Sequence, residues 1–368
     1  DRMKIWFLLL LSIASVMAED EADFSYDPDA ENGPNEWVNL EVEEDGEANE
    51  CGGDQQSPID LVQRSSCNEH VEYAFSSITG SECEAALSIT STGVRGDFPE
   101  DCLGFYTLEL PGGASIQAKN FHLHATSEHT VGGTTYDAEL HIVHSDEARC
   151  LDGISVVVVA VFLEARSETD NAVFGNLLDG WRNIAGQTLL DCGLDNDNDQ
   201  LEETSYTIYD LVPPRPTFLQ YSGSLTTPPC SEIVDWHVVE QPVAISASQL
   251  AQLQSLISDY YNDETCELAT ASYNGYNART IQSLNGRTVQ RICPPRSKVA
   301  MMGVFLVSGL VALFLLAIVC RCGNRRSIPG EVDSGKLLSE KEESSRSGMA
   351  RQESESSSGS RKSKVGVV

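Results

Sequence analysis

The chain has 368 residues, a formal net charge of −32 and 41% hydrophobic residues. This length allows about two domains, and the apolar content is enough for a sizeable core. The strong acidity argues against nucleic-acid binding, which requires basic patches.

The first predicted element in chain order is a secretory leader. Lys4 precedes an apolar run from Ile5 to Ile13, and small residues end at Ala18. This pattern predicts a signal peptide over residues 3–18, because the run is too short for a membrane anchor. We place an extracellular or luminal domain at residues 19–296.

Cysteine usage indicates an oxidising compartment. Nine of the 11 cysteines precede residue 299, and no Cys-x-x-Cys pair occurs among them. We therefore expect several disulfides rather than a four-cysteine zinc site. Because nine is odd, one thiol is free or pairs between chains, which leaves a disulfide-linked dimer open.

The domain is predicted to be mostly β. Short segments rich in valine, isoleucine, tyrosine and threonine alternate with turn-forming residues. The almost wholly apolar segment Ile154–Leu163 is typical of a strand buried on both faces. The strand candidates include Phe105–Leu110, Gly153–Leu163, Tyr206–Leu211 and Ile233–Val239, and the helix candidates are Ala172–Ile184 and Ser246–Tyr261, the latter with a capped start at Ser248.

A membrane anchor is predicted near the C-terminus. Residues 299–320 form 22 consecutive positions without a charge, which is about 33 Å of helix and long enough to span a bilayer. Arg321, Arg325 and Arg326 follow and favour a cytoplasmic side. The pattern predicts a single-pass type I membrane protein with a disordered cytoplasmic tail at residues 321–368. Of the possible membranes, we favour the plasma membrane.

A pair of histidine-bearing segments predicts a metal site. In a strand, Asn120, His122 and His124 point to one face, with the two rings about 7 Å apart. A turn at Val131–Thr135 would return the chain so that His141 and Glu139 lie beside them. A single strand histidine is more often packed or exposed than a ligand, but three imidazoles with a nearby carboxylate suit Zn²⁺ with one open position.

Several motifs together resemble the α-class carbonic anhydrases. The resemblance runs from about residue 26 to residue 287. The motifs are Phe121–His124, Ser127–His129, Ala138–His144 and Ser224–Pro229, flanked by Asn32–Pro34, Gln56–Ile59 and Asn277–Arg279. The resemblance implies a large, mainly antiparallel sheet of about ten strands with short peripheral helices. It also implies reversible hydration of carbon dioxide to bicarbonate and a proton, through a hydroxide bound to zinc.

The resemblance assigns roles to individual residues. His122, His124 and His141 would be the zinc ligands, and Asn120 and Glu139 would hold the ring N–H groups of two of them. Thr226 would donate a hydrogen bond to Glu128 and accept one from the hydroxide, and Thr227 would line the adjacent anion site. The apolar wall for carbon dioxide would be Val143, Val158, Leu225 and Trp236, and the expected disulfide is Cys51–Cys230.

Two other sets of residues bear on function. The family's proton-shuttle histidine falls within Ser91–Arg95, which contains no histidine. His129 and His144 are interpreted as buried structural residues.

Two alternative functions are possible on the same fold, namely a non-catalytic cell-surface recognition module and a mineral-associated protein. The complete ligand set favours the enzyme.

Overall fold

A large β-sheet organises the part of the chain that the computed structural model describes, namely residues 24–41, 49–62, 65–77, 84–100, 105–145, 156–194, 207–262 and 265–295. The predicted signal peptide, transmembrane helix and cytoplasmic tail lie outside these ranges. Among the described residues, no helix has the length and apolarity needed to cross a membrane.

The chain forms fourteen strands and two α-helices within the described ranges. In chain order they are β1 Asp60–Leu61, β2 Glu69–His70, β3 Ala74–Ser77, β4 Ala86–Thr90, β5 Gly93–Asp97, β6 Tyr106–Glu109, β7 Ser115–His124, β8 Thr130–Val131, β9 Thr134–Thr135, β10 Ala138–Ser145, β11 Val156–Ser167, α1 Ala172–Asp191, β12 Phe218–Gly223, β13 Val234–Ser246, α2 Ala247–Ser258 and β14 Gln290–Cys293. Trp37–Asn39 and Ile208–Leu211 are 3₁₀ turns.

Eleven strands make one sheet, in the order β2-β14-β12-β13-β11-β10-β7-β5-β4, with β6 also paired to β7 and β3 paired to β6. The mostly β prediction is confirmed, and most neighbouring strands are antiparallel as expected, but the sheet is mixed and not purely antiparallel. Strands β11 and β13 run parallel, as do β14 and β2. A parallel pair needs a long crossover connection, and the connection between β11 and β13 includes helix α1.

Strand β11 lies inside the sheet and is buried on both faces, as its apolar run predicts. Val157, Val159 and Val161 belong to one hydrophobic cluster. Val158, Ala160 and Phe162 alternate with them and belong to a second cluster on the other face. A central strand anchored in two cores is a rigid support for its neighbour β10.

The helices confirm the predicted locations with different ends. Helix α1 continues to Asp191 and is capped by the side chain of Asn171. Helix α2 is capped by Ser246 in a reciprocal capping box with Gln249, so the cap predicted at Ser248 is two residues too late. The strand predicted at Tyr206–Leu211 is wrong: residues 208–211 form a 3₁₀ turn whose apolar side chains pack into the core.

His144 is a buried structural histidine, as predicted. Its Nε2 lies 2.8 Å from the Tyr209 hydroxyl, and its ring stacks on that tyrosine. Burial lowers the pKa of His144 from 6.5 to about 4, although hydrogen bonds to the backbone oppose the shift. The folded protein therefore holds this imidazole neutral at pH values where an unfolded chain would protonate it.

We expect His144 to make the fold sensitive to acid. Between pH 6.5 and about 4 the unfolded state binds a proton that the folded state does not, so stability falls as pH falls through this window. The full loss is about 3 kcal/mol for a shift of this size. In urea unfolding, the His144→Gln variant should lose less stability than the wild type between pH 7 and 4.5. The exposed His70→Gln is the control, and equal slopes for His144→Gln and wild type would contradict the assignment.

Candidate metal centre

Three histidines converge where β7 and β10 pair. The antiparallel register sets His122 opposite His141, and Glu139 opposite His124. Directly opposed residues project from the same face of a sheet. The alternation of β7 then brings His124 to the same face, as the sequence predicts.

The nitrogens of the three rings lie close enough together to share one metal ion. His122 Nε2 and His141 Nδ1 lie 3.3 Å apart, and with His124 one nitrogen from each ring falls within 4.8 Å of the others. Two ligands of a tetrahedral zinc ion, each about 2.0–2.1 Å from the metal, lie about 3.3 Å apart. His124 Nε2 is buried and has no hydrogen-bond partner among the described residues. A cation at the centre of the three rings would satisfy this atom, so the site fits zinc.

Each ligand ring is held by a protein partner at its other nitrogen. His122 Nδ1 lies 3.3 Å from Asn120 Oδ1, and His141 Nε2 lies 2.8 Å from Glu139 Oε1. His124 Nδ1 lies 2.8 Å from the backbone oxygen of Asn277. These contacts fix which nitrogen of each ring is directed to the metal.

Asn277 is the positioning residue that sequence reasoning missed. Its side chain accepts from the Ala125 amide and donates to the carbonyls of Leu123 and Thr92. These bonds join its loop to β7 at the ligand positions. The family motif Asn277–Arg279 was the only signal, because a backbone contact across 153 residues leaves no pattern of its own.

Glu139 is completely buried and connects the metal site to His129. Its Oε1 lies 2.6 Å from His129 Nδ1, and its Oε2 accepts from the His129 amide. Burial alone would raise the pKa of Glu139, but its close contacts and hydrogen bonds with His129 and His141 lower it well below its usual value. The carboxylate is therefore ionised and can accept from both rings. His129, Glu139 and His141 form a second cluster with metal-ligand spacing. Its carboxylate already accepts hydrogen bonds from both rings, so we do not assign a metal to it.

Two of the ligand rings, those of His122 and His141, are held in the neutral form. Burial, followed by the neighbouring rings of His141 and His124, lowers the pKa of His122 well below 6.5. Burial also lowers the pKa of His141, against the opposing hydrogen bond from Glu139. Neutral imidazole is the form that binds metal, so the fold prepares these two ligands for a cation.

Glu128 points its carboxylate at the ligand set. Its Oε1 accepts from the Arg279 amide at 2.9 Å. Its Oε2 lies 3.5 Å from His124 Nε2 and 4.0 Å from His141 Nδ1. Oε2 has no hydrogen-bond partner within the described ranges, so the bond expected from the Thr226 hydroxyl is not observed.

An apolar wall stands beside the histidines. Val143, Val158 and Trp236 occupy one row across β10, β11 and β13. Leu225 packs against the same cluster. The Trp236 ring lies 4.8 Å from the His141 ring, and its Nε1–H donates to the Ser224 carbonyl. The four residues expected to form the carbon dioxide pocket are therefore brought together next to the ligands.

A disulfide anchors the loop that carries Thr226 and Thr227. The predicted Cys51–Cys230 bond is confirmed. The Cys230 amide donates to the Thr227 carbonyl, and the Leu225 amide donates to Ser231. Cys67–Cys293 and Cys192–Cys266 are further disulfides, and the remaining cysteines, 83, 102, 150, 320 and 322, lie outside the described residues.

We expect loss of the Cys51–Cys230 bond to impair activity as well as stability. A Cys51→Ser/Cys230→Ser variant should lose about 2–4 kcal/mol of stability and several-fold in kcat, because the Thr226 loop is no longer anchored. The Cys192→Ser/Cys266→Ser variant is the matched control and should lose stability with little change in kcat. Stopped-flow rates at a temperature where all variants are folded test this, and an unchanged kcat in the first variant would contradict it.

Comparisons with known proteins agree with the geometry. A family model described as eukaryotic-type carbonic anhydrase matches residues 32–293. Carbonic anhydrase 3 of Homo sapiens is 31% identical over 272 residues, covering 70% of this chain and 95% of that protein. Carbonic anhydrase 6 of Bos taurus is 31% identical over 268 residues, covering 66% and 74%.

A solved structure has the same fold. The α-carbonic anhydrase from Thermovibrio ammonificans in complex with the inhibitor sulfanilamide is 26% identical, with a TM-score of 0.51. The alignment covers 74% of this chain and 99% of that one.

Proposed function

This chain belongs to the eukaryotic-type carbonic anhydrase family, and we propose a separate role in carbon dioxide hydration for each group of residues at its metal centre. The protein is a zinc enzyme, a carbonate dehydratase that reversibly hydrates carbon dioxide to bicarbonate and a proton. The observation that carries this conclusion is the convergence of three imidazole nitrogens within 4.8 Å of one another, a grouping that can hold one metal ion.

His122, His124 and His141 would hold the zinc ion. Zinc, when bound, lowers the pKa of a coordinated water to about 7 and so supplies a nucleophile at neutral pH. Asn120, Glu139 and the Asn277 carbonyl keep the three rings in the required orientation. Their contribution is to fix the ligands before the metal arrives, which avoids reorganisation during turnover.

The apolar wall would receive carbon dioxide. The substrate carries no net charge, so a pocket formed by Val143, Val158, Leu225 and Trp236 needs only shape and apolarity. Burial of Val158 and Trp236 keeps this side of the site dry. A substrate held here lies beside the ligand rings and needs no charged side chain to bind.

Thr226 and Glu128 would orient the nucleophile. The Thr226 hydroxyl would donate a hydrogen bond to Glu128 Oε2, a bond that is not formed in the described structure, and the threonine oxygen would accept a hydrogen bond from the attacking oxygen. The buried, unpartnered position of Glu128 Oε2 supports this role. Thr227, the next residue, would line the place that the bicarbonate product occupies before release.

Proton release should limit turnover. Arg95, opposite His122, ends the segment where the family carries its shuttle histidine, and residues 91–95 contain none. Histidine is the side chain suited to proton transfer near neutral pH. We expect kcat at saturating carbon dioxide to rise several-fold when imidazole buffer is added at constant ionic strength. The control is an equal concentration of a non-buffering salt. If kcat in imidazole is no higher than kcat in this salt, the prediction is wrong.

The three disulfides found within the described ranges support an extracellular or secretory-pathway location. We further propose a single-pass type I topology, with a signal peptide at residues 3–18 and a transmembrane helix at residues 299–320. Retention in the membrane pellet after alkaline carbonate washing tests the anchor, and release into the supernatant would contradict it. A non-reducing gel tests the disulfide-linked dimer.

Stopped-flow hydration before and after zinc chelation tests the function as a whole. We expect chelation to abolish hydration and added zinc to restore it. A protein that binds no metal as purified would instead favour the recognition or mineral-associated alternative.

A further inference from the structure

An arginine and an aspartate share the face of the sheet that carries the zinc ligands. Strand β5 pairs antiparallel with β7, with Arg95 opposite His122 and Asp97 opposite Asn120. Residues opposed in this way project from the same face, with Cβ atoms about 4.5–5.5 Å apart. Neither residue has a part in the hydration steps described above.

The two side chains form an ion pair at the edge of the metal site. Arg95 Nε–H donates to Asp97 Oδ1 and Oδ2, each at 2.9 Å. The Arg95 side chain is 9% exposed, whereas the Asp97 side chain is 39% exposed. The Arg95 guanidinium is therefore buried next to the ligand histidines, whereas the Asp97 carboxylate faces solvent. The Trp181 indole, bonded to the Arg95 carbonyl, fixes this strand from behind.

The charge of Arg95 lies next to a ligand, because the register of β5 and β7 sets Arg95 directly opposite His122. A cation beside a ligand ring attracts an anion bound in front of that ring. An Arg95 charge without compensation would therefore strengthen anion binding at the metal.

The product of hydration is an anion, and turnover requires that it leaves. We propose that Asp97 determines the anion affinity of this site by neutralising Arg95, so that bicarbonate and similar monovalent anions are bound weakly. Asp97 thus sets the anion affinity of the site through Arg95, without taking part in the chemistry. The proposal deepens the zinc-enzyme function and rests on it.

A double-mutant cycle tests the proposal. The cobalt-substituted enzyme is titrated with thiocyanate, and its visible absorption gives Kd for the wild type, Asp97→Asn, Arg95→Gln and the double variant. We expect Asp97→Asn to bind thiocyanate about 5–10-fold more tightly and Arg95→Gln to bind it more weakly by a similar factor. The double variant, which has neither charge, should return to near the wild-type Kd.

Two controls separate charge from other effects. The uncharged ligand 1,2,4-triazole should bind all four proteins with equal Kd. Glu240→Gln makes the same charge change in another arginine–carboxylate pair, Arg291–Glu240, on strands β14 and β13, which are several strands away from β5 in the sheet. It should leave thiocyanate binding unchanged.

Several results would overturn the proposal. They are an unchanged or weaker thiocyanate Kd in Asp97→Asn, a parallel change for triazole, or a double variant that keeps the tight binding of Asp97→Asn. Arg95→Gln provides an independent measurement if Asp97→Asn does not fold. Failure of the zinc-enzyme function is distinguishable, because the wild type would then bind neither cobalt nor triazole.

Discussion

Replacing His141 by alanine should remove the metal and lower carbon dioxide hydration by about 10⁴-fold or more, because the nucleophile is available at neutral pH only through zinc. His141 is the most connected of the three ligands. Its ring lies 3.3 Å from His122 Nε2, 2.8 Å from Glu139 Oε1 and 4.8 Å from the Trp236 ring. Its loss removes a ligand and leaves the buried Glu139 carboxylate with one ring partner fewer.

Zinc content and stopped-flow rates measure this effect on the same preparations. The exposed His70→Ala is the matched control and should keep one zinc per chain and the full rate. His141→Gln is a second variant that keeps a hydrogen-bonding group for Glu139, and it separates loss of metal from loss of folding. A His141→Ala protein that is folded, free of zinc and still active would end the zinc mechanism for this chain.

Replacing Thr226 by valine should lower kcat/KM by about 10²-fold or more, the range found for removal of one positioned hydrogen-bonding group at a reacting oxygen. Valine keeps the shape of threonine and removes only the hydroxyl. The zinc content should not change, because Thr226 is not a ligand. Glu128→Gln should act in the same direction, since an amide at this position is a poorer acceptor for the threonine proton.

A surface threonine supplies the comparison for this experiment. Thr134→Val, in the exposed strand β9, should leave kcat/KM unchanged. Kinetics with a matched pair of variants, Thr226→Val and Thr226→Ser, add a further check, because serine restores the hydroxyl and should restore much of the rate. Equal rates for Thr226→Val and the wild type would show that nucleophile orientation does not depend on this hydroxyl.

The sequence predicted the ligand set because the chemistry lies in local patterns. Alternation in a strand places His122 and His124 on one face, and the Gly132–Gly133 turn returns the chain so that His141 pairs with His122. The apolar run of β11 likewise predicts a strand buried on both faces. The disulfide Cys51–Cys230 came from family resemblance, since cysteine counting alone leaves the pairing open.

Other features were beyond the reach of local patterns. The 3₁₀ turn at Ile208–Leu211 has the apolar composition of a strand, and only its packing into the core decides its shape. The parallel pairing of β11 with β13 depends on a crossover that leaves no periodicity in either strand. The position of a helix cap was also missed by two residues, because Ser246 and Ser248 are both acceptable caps by residue type.

By itself, then, the sequence determined the residues of the metal centre, since a spacing of two positions in a strand puts His122 and His124 on one face and an antiparallel return strand brings His141 beside them. Only the tertiary structure decided how those rings are held. The Asn277 carbonyl on His124 and the Arg95–Asp97 pair beside His122 are set by strand register and loop packing. The physical reason is that strand alternation acts between near neighbours in the chain, whereas hydrogen bonds and charges act between neighbours in space.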